Sequence, residues 1–204
     1  PFYQDWKNGL LTINDLRLYA GQYYHFEASF PKYLSAVHSQ CDDTSVRQGI
    51  LSNLWDEEHG DGNHRAMWLD FCAGLGLSRE DVLATPTHPK TQALLDTYSR
   101  VCGNGSFQEG LAVIYAYESQ VPEIAVEKLA GLRDLYEITD QATLSFFHVH
   151  SSIDLEHSRV GADSISKHTS TPKEDQAVET ALEAGLDAWW GFLDGVERVR
   201  NARN

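Results

Sequence analysis

The sequence predicts an all-α fold, a single bundle of seven or eight helices over residues 1–204, on three observations. Prolines are few and fall where helices start or bend, at Pro31, Pro86, Pro89, Pro122 and Pro172. Alternating β-branched runs that would mark strands are scarce. Apolar residues recur at three- and four-residue spacing, with no internal repeat and no long linker.

Each element follows from local signals. Thr12, with Asp15 three residues on, opens a helix in which Leu16, Tyr19, Tyr23, Phe26 and Phe30 repeat, and Pro31 begins a second run through Leu34, Val37 and Cys41. A third runs from Thr44 through Ile50, Leu54 and Glu57 until Gly60 and Gly62 weaken it, and Met67, Trp68 and Phe71 resume the pattern. Ser78 caps a short helix, and another spans Lys90 to Cys102 before Gly103-Asn104-Gly105 forces a turn. From Ser106 to about Tyr136 the pattern predicts one long helix bent at Pro122. Thr139 opens the next, which carries His150, Asp154 and His157, and the polar stretch Ser164–Thr171 precedes a last amphipathic helix ending near Arg200.

Composition narrows the function. Thirty acidic against 16 basic residues give a net charge of −14, and no Lys/Arg cluster interrupts it, so nucleic acid and anionic membrane surfaces are excluded as partners. Cys41, Cys72 and Cys102 form neither a disulfide framework nor a CxxC site and read as buried thiols, consistent with a cytoplasmic protein. No apolar run reaches the roughly 18 residues of a membrane span, and Pro1-Phe2-Tyr3 lacks a signal-peptide layout. A start at Pro rather than Met implies that the sequence begins inside a longer chain.

Three groups carry the chemistry. On an uninterrupted helix His150, Asp154 and His157 project at about 0°, 40° and −20°, one narrow stripe of metal ligands among Phe146, Phe147 and Ile153. Glu57 and His64 share a face only if the helix survives Gly60 and Gly62, and Asp56, Glu58, His59 and Asp61 compete with them. Glu118 follows Tyr115-Ala116-Tyr117 in an apolar segment, where a cation is one of the few satisfactory partners for a buried carboxylate. Three carboxylates and three imidazoles suit two divalent first-row metals inside a helical bundle, with open positions for O₂.

These residues resemble the heme-oxygenase-like diiron proteins, whose pattern Glu-x₆-His, Glu, His-x₃-Asp-x₂-His falls on Glu57, His64, Glu118, His150, Asp154 and His157. Within that superfamily, which also holds the TenA- and PqqC-like proteins, the chain is most similar to the Chlamydia-protein-associating-with-death-domains group of para-aminobenzoate synthases. The likeness is carried by FPKYLSAVHSQCDD (30–43), NLWDEEHGDGNH (53–64) and YAYESQVPEIAVEK (115–128) and extends from Tyr3 to the last helix. It implies a dimetal centre, Fe/Fe or Fe/Mn, that uses O₂ and an external reductant to make para-aminobenzoate for folate synthesis.

The resemblance further implies a self-sacrificing reaction, with Tyr3 supplying the aromatic ring, Lys128 the amino nitrogen, and Tyr117 carrying a radical or protons between metals and substrate. Read from the residues alone, Tyr3 is a core or fraying terminal residue and Lys128 an exposed helix charge. Relatives have a tyrosine where this chain has Phe146, so a relay through that position must take another route, with Tyr19, Tyr23 and Tyr24 as candidates. Oligomeric state stays open, a homodimer included.

Alternatives remain. Thiaminase-type hydrolases and metal-free cofactor-maturing oxidases share the bundle but leave six ligands without a role, and a haem protein using His25 leaves the carboxylates unexplained. A diiron oxidase acting on an external small molecule, such as a fatty acid or an amino-acid derivative, needs the same metals. A non-catalytic protein-interaction module needs none.

Overall fold

The computed structural model describes residues 1–203 and is helical almost throughout. Its helices are α1 (Phe2–Lys7), α2 (Ile13–Glu27), α3 (Phe30–Gln40), α4 (Thr44–Glu58), α5 (His64–Gly74), α6 (Arg79–Ala84), α7 (Pro89–Asn104), α8 (Phe107–Glu118), α9 (Val121–Asp134), α10 (Gln141–His150), α11 (Ile153–His168) and α12 (Pro172–Arg203). The twelve segments exceed the seven or eight expected because long helices are cut in two and α1 and α6 are single short turns of helix. Among the described residues there is no strand, and none of the helices is long and apolar enough to cross a membrane.

Side chains set most helix starts. Thr12, Ser78 and Ser106 each accept from the backbone N–H three residues on, and Asp15, Asp81 and Glu109 return the bond, closing capping boxes on α2, α6 and α8. Asp43, Asn63 and Asp140 cap α4, α5 and α10, so α10 opens on Asp140 rather than Thr139. α7 continues to Asn104, with Gly105 as its C-cap, and α11 runs through the polar stretch as far as His168.

Three breaks place the functional residues. The bend expected at Pro122 is a full interruption: α8 ends at Glu118 and α9 starts at Val121, because the proline has no N–H for the carbonyl one turn back. Gln120 compensates in part by donating Nε2 to the Ala116 carbonyl at 2.6 Å. The second break, at Ser151–Ser152, separates α10 from α11, so the single stripe expected for His150, Asp154 and His157 does not exist. Glu57 and His64 also sit on separate helices, joined through Gly60 at φ +76°.

The buried apolar residues form one cluster, with α8 running through it, buried along nearly its whole length and packed by α12, α11, α7 and α3. Gly185 lets α12 approach closely, since a Cβ there would meet Val113 at 2.9 Å and Ala116 at 3.0 Å. That packing holds Tyr117 and Glu118, at the end of α8, in the middle of the molecule.

Candidate metal centre

The six expected ligands converge as two trios. Glu57, His64 and His150 bring one donor atom each to within 4.8 Å of one another, and Glu118, Asp154 and His157 do the same. The helix break explains the division: His150, ending α10, joins the α4–α5 pair, while Asp154 and His157, on α11, join the end of α8. All six are buried except His157, which is half-buried.

Neighbouring groups orient these donors. The His150 Nδ1 lies 2.8 Å from the Phe146 carbonyl, which fixes that nitrogen as the donor and leaves Nε2 free. His157 Nε2 lies 3.2 Å from Asp56 Oδ2, so its free atom is Nδ1, and Asn53 donates Nδ2 to Glu118 Oε1 at 2.6 Å. Asn53 was not anticipated as a site residue, although it lies four residues before Glu57 and so on its face. Asp56, which by sequence competes with Glu57 and His64, instead orients the expected ligand His157.

The remaining donors lack ordinary partners. His64 Nδ1, Asp154 Oδ2 and His157 Nδ1 are buried without a hydrogen bond. His64 Nδ1 and Glu57 Oε1 stand 3.0 Å apart without hydrogen-bond alignment, and His157 Nδ1 lies 3.7 Å from Asp154 Oδ1, beyond hydrogen-bond range. Lone pairs turned toward a common space, rather than toward donors, fit a cation. The set is oxygen and imidazole nitrogen with no thiolate, which suits iron or manganese.

Electrostatics agree with that fit. Burial, reinforced by Asp154, pushes the Glu118 carboxyl up to about 8, and burial raises Glu57 well above the carboxylate range. Burial also lowers His150 to about 4. At His157 burial acts downward, but Asp154, Glu118 and Asp56 outweigh it and raise the imidazole to about 9. Without cations, this cluster concentrates negative charge in a space that cannot hold it.

Beside the trios lies a largely apolar cavity of about 490 Å³ whose lining includes Tyr3, Lys128, Tyr117, Tyr19, Tyr23 and Phe146. It touches the two trios' side twice: Tyr117 precedes Glu118, and Phe146 stacks on His150 with ring centroids 3.9 Å apart. Lys128 is not an exposed helix charge. Its stem is half-buried, and Nζ donates to Tyr19 Oη at 2.5 Å and lies 4.5–5.9 Å from the ring centroids of Tyr19, Trp6 and Tyr23. Burial pushes its ammonium down to about 7. Tyr3, on α1, is half-buried and donates to Glu127, which also binds Lys7 at 2.8 Å. The hydroxyls of Tyr23 and Tyr117 are hydrogen-bonded to each other, and burial raises both phenols far above their ordinary values.

Comparison with known proteins gives the lineage. A family model described as "Iron-containing redox enzyme" matches residues 17–190. The 4-aminobenzoate synthase of Nitrosomonas europaea is 40% identical, with 96% of this chain and 83% of that protein covered. The 4-aminobenzoate synthase of Chlamydia muridarum is 37% identical over 95% and 81%. A crystal structure from Shewanella denitrificans, described as a domain of unknown function with a heme oxygenase-like fold, superposes with a TM-score of 0.85 at 22% identity, covering 98% of this chain and 85% of that one. The chain therefore belongs to the iron-containing redox enzyme family, with a heme oxygenase-like fold, and groups there with relatives named 4-aminobenzoate synthase.

Proposed function

We propose that this protein makes 4-aminobenzoate, taking the aromatic ring from Tyr3 and the amino nitrogen from Lys128, once per chain. The observation that carries the reading is that Tyr3 and Lys128, 125 residues apart in sequence, line one cavity whose wall also holds Tyr117 and Phe146 against the two ligand trios. The 34–40% identity to four relatives named 4-aminobenzoate synthase supports the same product.

Glu57, His64 and His150 would hold one metal and Glu118, Asp154 and His157 the other, as Fe/Fe or Fe/Mn. Bound there, such a pair supplies reactivity toward O₂, with electrons from an external reductant. The chain's own residues do the rest. Lys128, with no carboxylate partner among the described residues, holds a substantial neutral fraction near pH 7, which leaves a lone pair on Nζ for bond formation. Glu127 accepts from the Tyr3 hydroxyl and anchors the ring at the cavity.

Tyr117 shares its hydroxyl hydrogen bond with Tyr23, which supports these two phenols as the relay that bypasses Phe146. The other candidates are engaged elsewhere: Tyr19 with Lys128, and Tyr24 with Arg65 at 2.9 Å. The Phe146 ring sits edge-on to Tyr23 and carries no hydroxyl with which to join the relay.

Intact-protein mass spectrometry before and after reaction with metal, reductant and O₂, with a search for released 4-aminobenzoate, tests the reading. Product should plateau at or below one equivalent per chain, with a mass loss near Tyr3, and Tyr3→Phe should abolish it with metal binding intact. The cavity volume also accommodates a small external molecule. Product exceeding one equivalent from an added substrate would establish that second reading instead.

A further inference from the structure

We propose that Glu27 is a seventh protein ligand of the dimetal centre, a fourth carboxylate that closes on the ions as they bind; this rests on the six-ligand reading above. Glu27 is the last residue of α2 and is only 3% exposed. Its Oε1 is buried with no hydrogen-bond partner, and no ion pair reaches it among the described residues. A carboxylate so placed is expensive twice over. It is shut off from bulk solvent, its one cationic neighbour in charge is the imidazole of His64, itself an expected ligand, and it stands at the C-terminal, negative end of its own helix dipole.

Its surroundings say what would relieve that cost. The titratable groups whose charges bear most on Glu27 are Glu57, His64 and Asp154, two from one trio and one from the other. Contacts on either side of α2's last turn place it there as well: Tyr24 accepts from Arg65, next to His64, at 2.9 Å, and Phe26 packs on Tyr117, next to Glu118, with ring centroids 4.9 Å apart. No Lys or Arg is among the groups whose charges bear most on Glu27. Two divalent cations are the positive charges this position can use.

Charge balance gives the fourth carboxylate a role. Three carboxylates leave two divalent ions with a net positive charge, and Glu27 brings the centre to neutrality. Glu27 lies outside both groups of mutually close donors.

Titration of the metal-free full chain with Mn(II), under argon, tests the assignment. Free Mn(II) is followed by electron paramagnetic resonance, and thermal melts are recorded with and without the metal. Wild type should bind two Mn(II). Glu27→Gln should bind at least one of them about tenfold or more weakly, the range seen when groups that support metal ligands are removed. The metal-free variant should melt higher than metal-free wild type, because a neutral amide replaces an unpaired carboxylate, and should gain less on loading.

A Gln variant with wild-type stoichiometry, affinity and thermal gain overturns the proposal while leaving the six ligands standing. So does a variant that melts lower without metal yet binds Mn(II) as wild type does, since that pattern marks a purely structural residue. A wild type that takes up no Mn(II) overturns the six-ligand reading, and this one with it.

Discussion

Replacing Lys128 by Met should stabilise the metal-free protein at low pH and abolish product formation. The ammonium lies among Trp6, Tyr19 and Tyr23 with a phenol as its one hydrogen-bond partner, and burial pushes it from 10.5 to about 7. That drop corresponds to about 5 kcal/mol against the charged form. Attraction to the ring faces returns about 1–2 kcal/mol, leaving roughly 3 kcal/mol. Met keeps an unbranched stem and fills similar volume, so its packing cost stays below about 1.5 kcal/mol.

The sign follows from proton counting. A folded value of about 7 below an unfolded value near 10.5 means that the unfolded chain holds more protons between those limits. The penalty in wild type is therefore complete below pH 7 and fades as pH rises toward 10.5. Urea unfolding of both metal-free proteins at pH 6, 7.5 and 9 should show a Met advantage of about 2–3 kcal/mol at pH 6 that shrinks steadily with pH. An advantage that does not change with pH, or a Met variant less stable at pH 6, would refute the reasoning.

The other expectations can be checked by standard measurements. Metal analysis of the wild type should give about two divalent ions per chain, and Glu118→Ala or His150→Ala should each lower it, since each removes a donor from a different trio. Asp56→Ala leaves His157 Nε2 without its partner and should weaken binding of one metal by about 10- to 100-fold in chelator competition. Gly74→Ala should cost about 1–3 kcal/mol in chemical unfolding, because a Cβ there would lie 2.2 Å from Thr143 Cγ2. It pushes α5 from α10, which carry His64 and His150, so metal retention should fall as well.

The capping residues at Thr12, Ser78 and Ser106 made three helix starts legible, and residue type and spacing singled out His150, Asp154, His157 and Glu118 as candidate ligands, whereas Glu57 and His64 stood out only through the family resemblance. The division of the six into trios was not legible. The break between α10 and α11 involves neither proline nor glycine: Ser151 and Ser152 donate to the carbonyls of His148 and Val149, competing with the helix they interrupt. Nothing in the local pattern distinguishes such serines from solvent-facing ones. Lys128 misled for a related reason, since the rings that bury its amine come from α1 and α2, more than a hundred residues away. Glu27 went unnoticed because an acidic residue at a helix end reads as surface until the fold closes over it.

The origin of the product's atoms is the most direct test. Protein prepared with ring-¹³C tyrosine and side-chain ¹⁵N lysine is loaded with metal, reduced, and exposed to O₂ in unlabelled buffer. The account predicts 4-aminobenzoate that carries both labels, at no more than one equivalent per chain. Unlabelled product, or label retained in a chain that turns over repeatedly on an added small molecule, would contradict it.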